Sequence, residues 1–148
     1  MLGYIGVSLG DILAEIISQK LKSRKKSIFI FLILLSINIL LYIHTSHNLM
    51  IFYFFLTLGI LSGYWVLFLT IGAEEFDTNI RSTVVNTLPN FVRGSVFLIV
   101  IIFKSLKDIL GFINSTLIIG FFFIILAMIS LIFIRETFAR DLNFFEEI

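Results

Sequence analysis

Residues 109–134 read ILGFINSTLIIGFFFIILAMISLIFI, 26 consecutive positions without one ionisable side chain. The hydrocarbon core of a bilayer is about 30 Å thick, and a helix crosses it with about 20 mostly apolar residues. This run is long enough to span. Three more runs of similar character precede it, at Ser27–His44, Leu49–Ala73 and Thr83–Phe103, and a fifth, more polar one opens the chain at Leu2–Lys20. The pattern predicts an all-α integral membrane protein. Its five transmembrane helices fall at about 2–20, 27–44, 49–73, 83–103 and 109–134, and a tail follows at 135–148, all in one domain covering 1–148.

The composition agrees. Hydrophobic residues make up 59% of the 148-residue chain and charged residues 14%, and mean hydropathy is +1.08. Soluble domains average about a quarter charged residues. Five spans consume nearly the whole chain, which excludes a nucleotide-binding cassette or a sizeable catalytic unit within it. With no cysteine, disulfides and thiolate metal sites are excluded. The first segment carries Asp11 and Glu15, lacks a basic start and has no small-residue cleavage site, so it does not read as a signal peptide.

Charge placement sets an expected orientation. Lys20, Lys22, Arg24, Lys25 and Lys26 lie between the first two spans, Arg81 between the third and fourth, and Arg135 and Arg140 after the last. The other connections hold only Lys104 and Lys107. Short loops rich in Lys and Arg stay cytoplasmic, which places the Lys20–Lys26 loop and the C-terminus inside and Met1 outside. An outside N-terminus at the very start of a span suits a chain that begins partway through a larger architecture.

The spans differ in polarity. The second and fifth are apolar nearly all round and are expected to face lipid. In the first, Ser8, Asp11, Glu15, Ser18, Gln19 and Lys22 recur at three- and four-residue steps, one face of a helix. The fourth has a similar stripe of Asn86, Pro89, Asn90 and Arg93. A charge near the bilayer centre costs at least about 2.5–3.5 kcal/mol and faces protein or water. Asp11, Glu15, Asn86, Asn90 and Arg93 are therefore the candidates for a transport pathway or its coupling, and Asp11 and Arg93 for an interior ion pair. In the third span, Gly59, Ser62 and Gly63 permit close helix approach, and Tyr64 and Trp65 beside them are candidate cavity-lining residues. Packing is the commoner role of such aromatics. Glu74 and Glu75 end the third span and Arg81 opens the fourth, an arrangement suited to a cytoplasmic gate.

The connection GAEEFDTNIRSTVVNTLPNFVRG at 72–94 resembles the loop between the tenth and eleventh helices of major facilitator superfamily transporters. There a helix-ending Glu is followed by a turn, an Arg and small residues. The stretch GDILAEIISQKLKSRKK at 10–26 is similar to the family's loop between its eighth and ninth helices, with Gln19 where an acidic residue is usual. The stretch RETFARDLNFFEE at 135–147 is similar to the tail after the twelfth.

This resemblance implies the eighth to twelfth helices, a partial C-terminal half of the fold, in the bacterial inner membrane. It also implies secondary transport of a sugar or other small organic metabolite by alternating access, coupled to protons through Asp11 or Glu15. The expected partners are membrane lipids, a small-molecule substrate and the missing N-terminal half; no cofactor, metal or nucleic acid is expected.

Two other functions compete. A noncatalytic membrane partner or a fragment without transport activity fits the same spans. An intramembrane enzyme would draw on Asp11 and Glu15 or on His44 and His47, but the histidines read as a solvated outer loop, and no Ser–His–Asp or HExxH spacing exists.

Overall fold

A computed structural model describes residues 1–43, 48–76 and 78–139, with the side chains of 48–50 excepted; His44 and His47 lie outside the described residues. The described residues form six helical segments: α1 (Leu2–Leu21), α2 (Arg24–Ile43), α3 (Asn48–Leu61), α4 (Tyr64–Glu75), α5 (Thr78–Leu110) and α6 (Phe112–Phe133). Among the described residues, four stretches are long and apolar enough to cross a membrane: Arg24–Ile43, Ile51–Glu75, Thr78–Leu110 and Phe112–Phe133. The regular structure of the described residues is thus all helical, and the protein is membrane-embedded in character. α1 has the length of a span, but its polar face makes it less apolar than these four.

α1 and α3 pack most intimately. A methyl group added at Gly10 would collide with the Ile60 backbone of α3, and one added at Gly63, just past the end of α3, with the backbone of Gly10 and Asp11. Gly6 and Gly59 make the same approach one to two turns away. Without a hydrophobic drive between helices in lipid, such backbone-to-backbone contact is what holds them. α2 is joined to α3 in turn by a hydrogen bond from Asn38 Nδ2 to Thr57 Oγ1, at 2.7 Å.

The third expected span is interrupted. α3 ends at Leu61 and α4 begins at Tyr64. Across the join the bonds tighten to i→i+3 spacing: Gly63 N–H to Ile60 O, Trp65 N–H to Ser62 O and Val66 N–H to Gly63 O. The Ser62 hydroxyl takes the Gly59 carbonyl at 2.7 Å. A mid-span turn of this tighter kind marks a local break in the α-helical ladder.

The core gathers at the end of the bundle that carries the basic loop. Ala14 of α1, Ile28, Phe31 and Leu32 of α2, Leu67 and Ile71 of α4 and Leu131 of α6 form one buried cluster. This corrects the expectation that α2 and α6 simply face lipid. One side of α2 is core, while Phe29, Ile30, Ile33 and Leu34 on its other side remain exposed. α5 behaves in the opposite way. It runs unbroken through Pro89, packs on α4 and α6, and buries none of its residues. At about 1.5 Å per residue it is about 50 Å long, more than a hydrocarbon core requires.

Candidate functional site

Two residues, Lys22 and Ser23, turn the chain from α1 into α2. Lys22 adopts the left-handed conformation (φ 49°), letting its N–H reach Gln19 O and the Ser23 N–H reach Ser18 O. This is the paired-bond ending that terminates many helices. Ser23 is at once the cap of α2, its hydroxyl accepting the Lys26 N–H at 3.1 Å. So abrupt a turn leaves Arg24, the first residue of α2, tucked beneath the polar face of α1.

Arg24 is the hub of a buried cluster. One guanidinium nitrogen donates to Glu15 Oε1 at 2.7 Å and to Ser18 Oγ at 3.1 Å, and the other to Glu74 Oε1 at 3.0 Å. The second oxygen of Glu74 accepts from the fully buried Thr137 hydroxyl at 2.6 Å. The Phe138 ring lies 5.4 Å from the guanidinium carbon, within cation–π range. Helices α1, α2 and α4 and the tail after α6 are thereby tied through one side chain.

Glu136 closes the cluster from the tail. Its carboxylate accepts the Arg24 N–H at 2.8 Å, the Phe138 N–H at 3.2 Å and the Ser23 hydroxyl. An anion at a helix N-terminus is favourable because the first N–H groups point at it. Burial alone would raise its pKa. Hydrogen bonds from Ser23 and from the backbone of Arg24, Phe138 and Lys25 outweigh that and hold it below the ordinary 4.5. Lys25 adds a further tie, its ammonium donating to Ile134 O at 2.5 Å and Ile132 O at 3.4 Å.

The residues singled out from sequence fall in three places. Glu15 and Glu74 belong to the cluster. The oxygens of Glu74 bond Arg24 and Thr137, whereas Arg81 donates from Nε to Ala73 O at 2.7 Å and from a terminal nitrogen to Phe76 O at 3.3 Å, satisfying the end of α4. Glu75 stands with Arg135 among the residues lining an apolar cavity of about 520 Å³ bounded by α2, α4, α5 and α6; Tyr64 lines it as well. Trp65 instead packs on Phe68, ring centres 5.4 Å apart.

Asp11 follows Gly10 at the α3–α4 break, and its buried Oδ1 has no hydrogen-bond partner. Asn86, Asn90 and Arg93 are exposed along α5, so the anticipated Asp11–Arg93 ion pair does not form within this chain.

Sequence reasoning passed over Arg24, Ser18, Ser23, Glu136 and Thr137 as site residues. Arg24 was counted only as one basic residue among five. Its signal is its place as the first residue of a helix preceded by a Ser cap, with Glu15 nine residues back on α1. Among the described residues no group of three His, Cys, Asp or Glu is placed to hold a metal ion. No family model, curated protein or solved structure matches this chain.

Proposed function

We propose that this chain forms part of a secondary active transporter that moves a small organic solute across a membrane by alternating access. The observation that carries this reading is the break at Ser62–Gly63, set against the Gly10–Asp11 step of α1. Discontinuous spans typically form the midplane substrate and ion sites of secondary transporters. Asp11, with a buried carboxylate oxygen left unpartnered, is the candidate coupling group there. Its protonation and release give a proton-coupled cycle its charge step.

The basic end then serves as the cytoplasmic gate, following the excess of Lys and Arg in its loops. Arg24 holds α1, α2, α4 and the tail in one arrangement and releases them in the other. A partner completes the pathway. The polar stripe Asn86–Asn90–Arg93 on α5 is exposed, and in a bilayer such a stripe requires protein or water over it. A further set of helices, an N-terminal half in the major facilitator arrangement, supplies that cover. Sugars, sugar acids and other small metabolites are the substrate classes in keeping with the Glu-to-Arg connection at 74–81, and the bacterial inner membrane is the setting.

Vesicles from cells that produce this chain and its partner, compared with vesicles from cells lacking the chain, test the reading against a panel of such solutes. Saturable uptake that needs the chain and is lost in Asp11→Asn is expected. Absence of chain-dependent flux across the whole panel contradicts it.

A further inference from the structure

A second surface of the molecule has no part in that pathway. On the outer side of the bundle, α2 and α6 leave between them an open groove of about 700 Å³. Its walls are apolar, with Phe29 and Ile30 from α2 and Ile125, Ile129 and Ile132 from α6, all exposed. Its mouth is not: Lys25 and Lys26 line the end of the groove nearest the α1–α2 turn. From Ile132 to Ile125 the groove follows α6 for seven residues, about 10 Å at about 1.5 Å per residue. That is roughly two-thirds of the ~15 Å depth of one leaflet's hydrocarbon.

We propose that this groove binds an anionic phospholipid, its acyl chain along the α2–α6 walls and its phosphate at Lys26 and Lys25. The inference rests only on the chain lying in a membrane, not on the transport reading. Lys25 spends two of its donors on the Ile132 and Ile134 carbonyls and keeps a third. Lys26 is exposed, and among the described residues it forms no ion pair. Among the described residues, Glu15 and Glu74 are engaged by Arg24, and Glu136 by Ser23 and the start of α2. Two cations thus stand at the rim of a hydrocarbon slot whose lining residues include no carboxylate. A soluble phosphate would use only the rim; an acyl-bearing phosphate uses both rim and walls.

Juxtamembrane lysines attract anionic lipid by about fivefold each in binding constant. The test is native mass spectrometry of the full chain in a nonionic detergent. It is presented with equal amounts of phosphatidylglycerol and phosphatidylcholine of identical acyl chains. Retention of phosphatidylglycerol about fivefold or more over phosphatidylcholine is expected. Lys26→Glu should bring the ratio near parity, with Lys26→Gln as the milder variant should the first fail to fold. Lys104→Glu, on another helix and away from the groove, should keep the preference. Ile129→Trp, which fills the groove, should lower retention of both lipids.

Equal retention of the two lipids by the unaltered chain overturns the proposal. So does the same ratio in Lys26→Gln as in the unaltered chain, or displacement of phosphatidylglycerol by an equal concentration of glycerol phosphate.

Discussion

Arg24 bonds two carboxylates of different burial, and that difference decides what each is worth. The side chain of Glu74 is 11% exposed and that of Glu15 is 35% exposed. Removing one partner of a buried pair typically costs about 3–5 kcal/mol, because a charge is left uncompensated. A pair screened by solvent contributes about 0–1 kcal/mol. Glu74→Ala is therefore expected to lower the thermal unfolding midpoint of the purified chain far more than Glu15→Ala. Equal shifts would mean that Arg24 does not depend on its buried partner.

Glu136 gives a pH dependence with a definite sign. Its pKa is depressed on folding, so the stability it lends is present above the ordinary 4.5 and fades as the pH falls through the lowered value. Limited proteolysis should find the tail protected at pH 7 and progressively cleaved in acid, with Glu136→Gln cleaved readily at both. A tail equally protected in Glu136→Gln and the unaltered chain at pH 7 would remove the capping role. The long-range partnerships were not visible in the order of residues. Arg24 and Glu74 are 50 positions apart and Glu74 and Thr137 are 63 apart, and only the packed helices bring them together.

The helices themselves were far more legible. Apolar runs at 27–44, 83–103 and 109–134 anticipated α2, α5 and α6, because a bilayer demands length and hydrophobicity that sequence displays directly. The division of the 49–73 run was not legible. Gly59 and Gly63 pointed to close approach, but not to which helix approaches: Gly10 of α1 sits opposite Gly63, more than 50 positions away in the chain. Nor did composition reveal that α2 buries Ile28, Phe31 and Leu32, since lipid and protein core select the same side chains.

The glycine seam yields an element-scale prediction. Gly10→Leu has no space, so α1 and α3 must separate. Overpacking of this kind costs typically about 1–3 kcal/mol. Gly120→Leu on α6, where an added Cβ meets nothing within 4 Å, should be neutral. Matching midpoints for the two variants would show that the α1–α3 contact carries no stability.

For the whole molecule, the distribution of polarity is uneven in a way that one chain does not resolve. α5 leaves Asn86, Asn90 and Arg93 exposed, while Asp11 keeps an unpartnered buried oxygen beside the break. The purified chain reconstituted by itself should therefore show no solute uptake above empty vesicles. Flux from this chain alone would overturn the need for a partner.

The central claim, that a water-filled solute path runs past α1, the α3–α4 break and the polar face of α5, has a direct test because the chain contains no cysteine. Single cysteines placed at Asp11, Ser62 or Asn90, and at lipid-facing Phe122 or Ile125 as controls, can be exposed in native membranes to a membrane-impermeant maleimide, which reacts with thiolate in water. Labelling is expected at Asp11, Ser62 and Asn90, and none at Phe122 or Ile125. Protection of all five positions alike would contradict it.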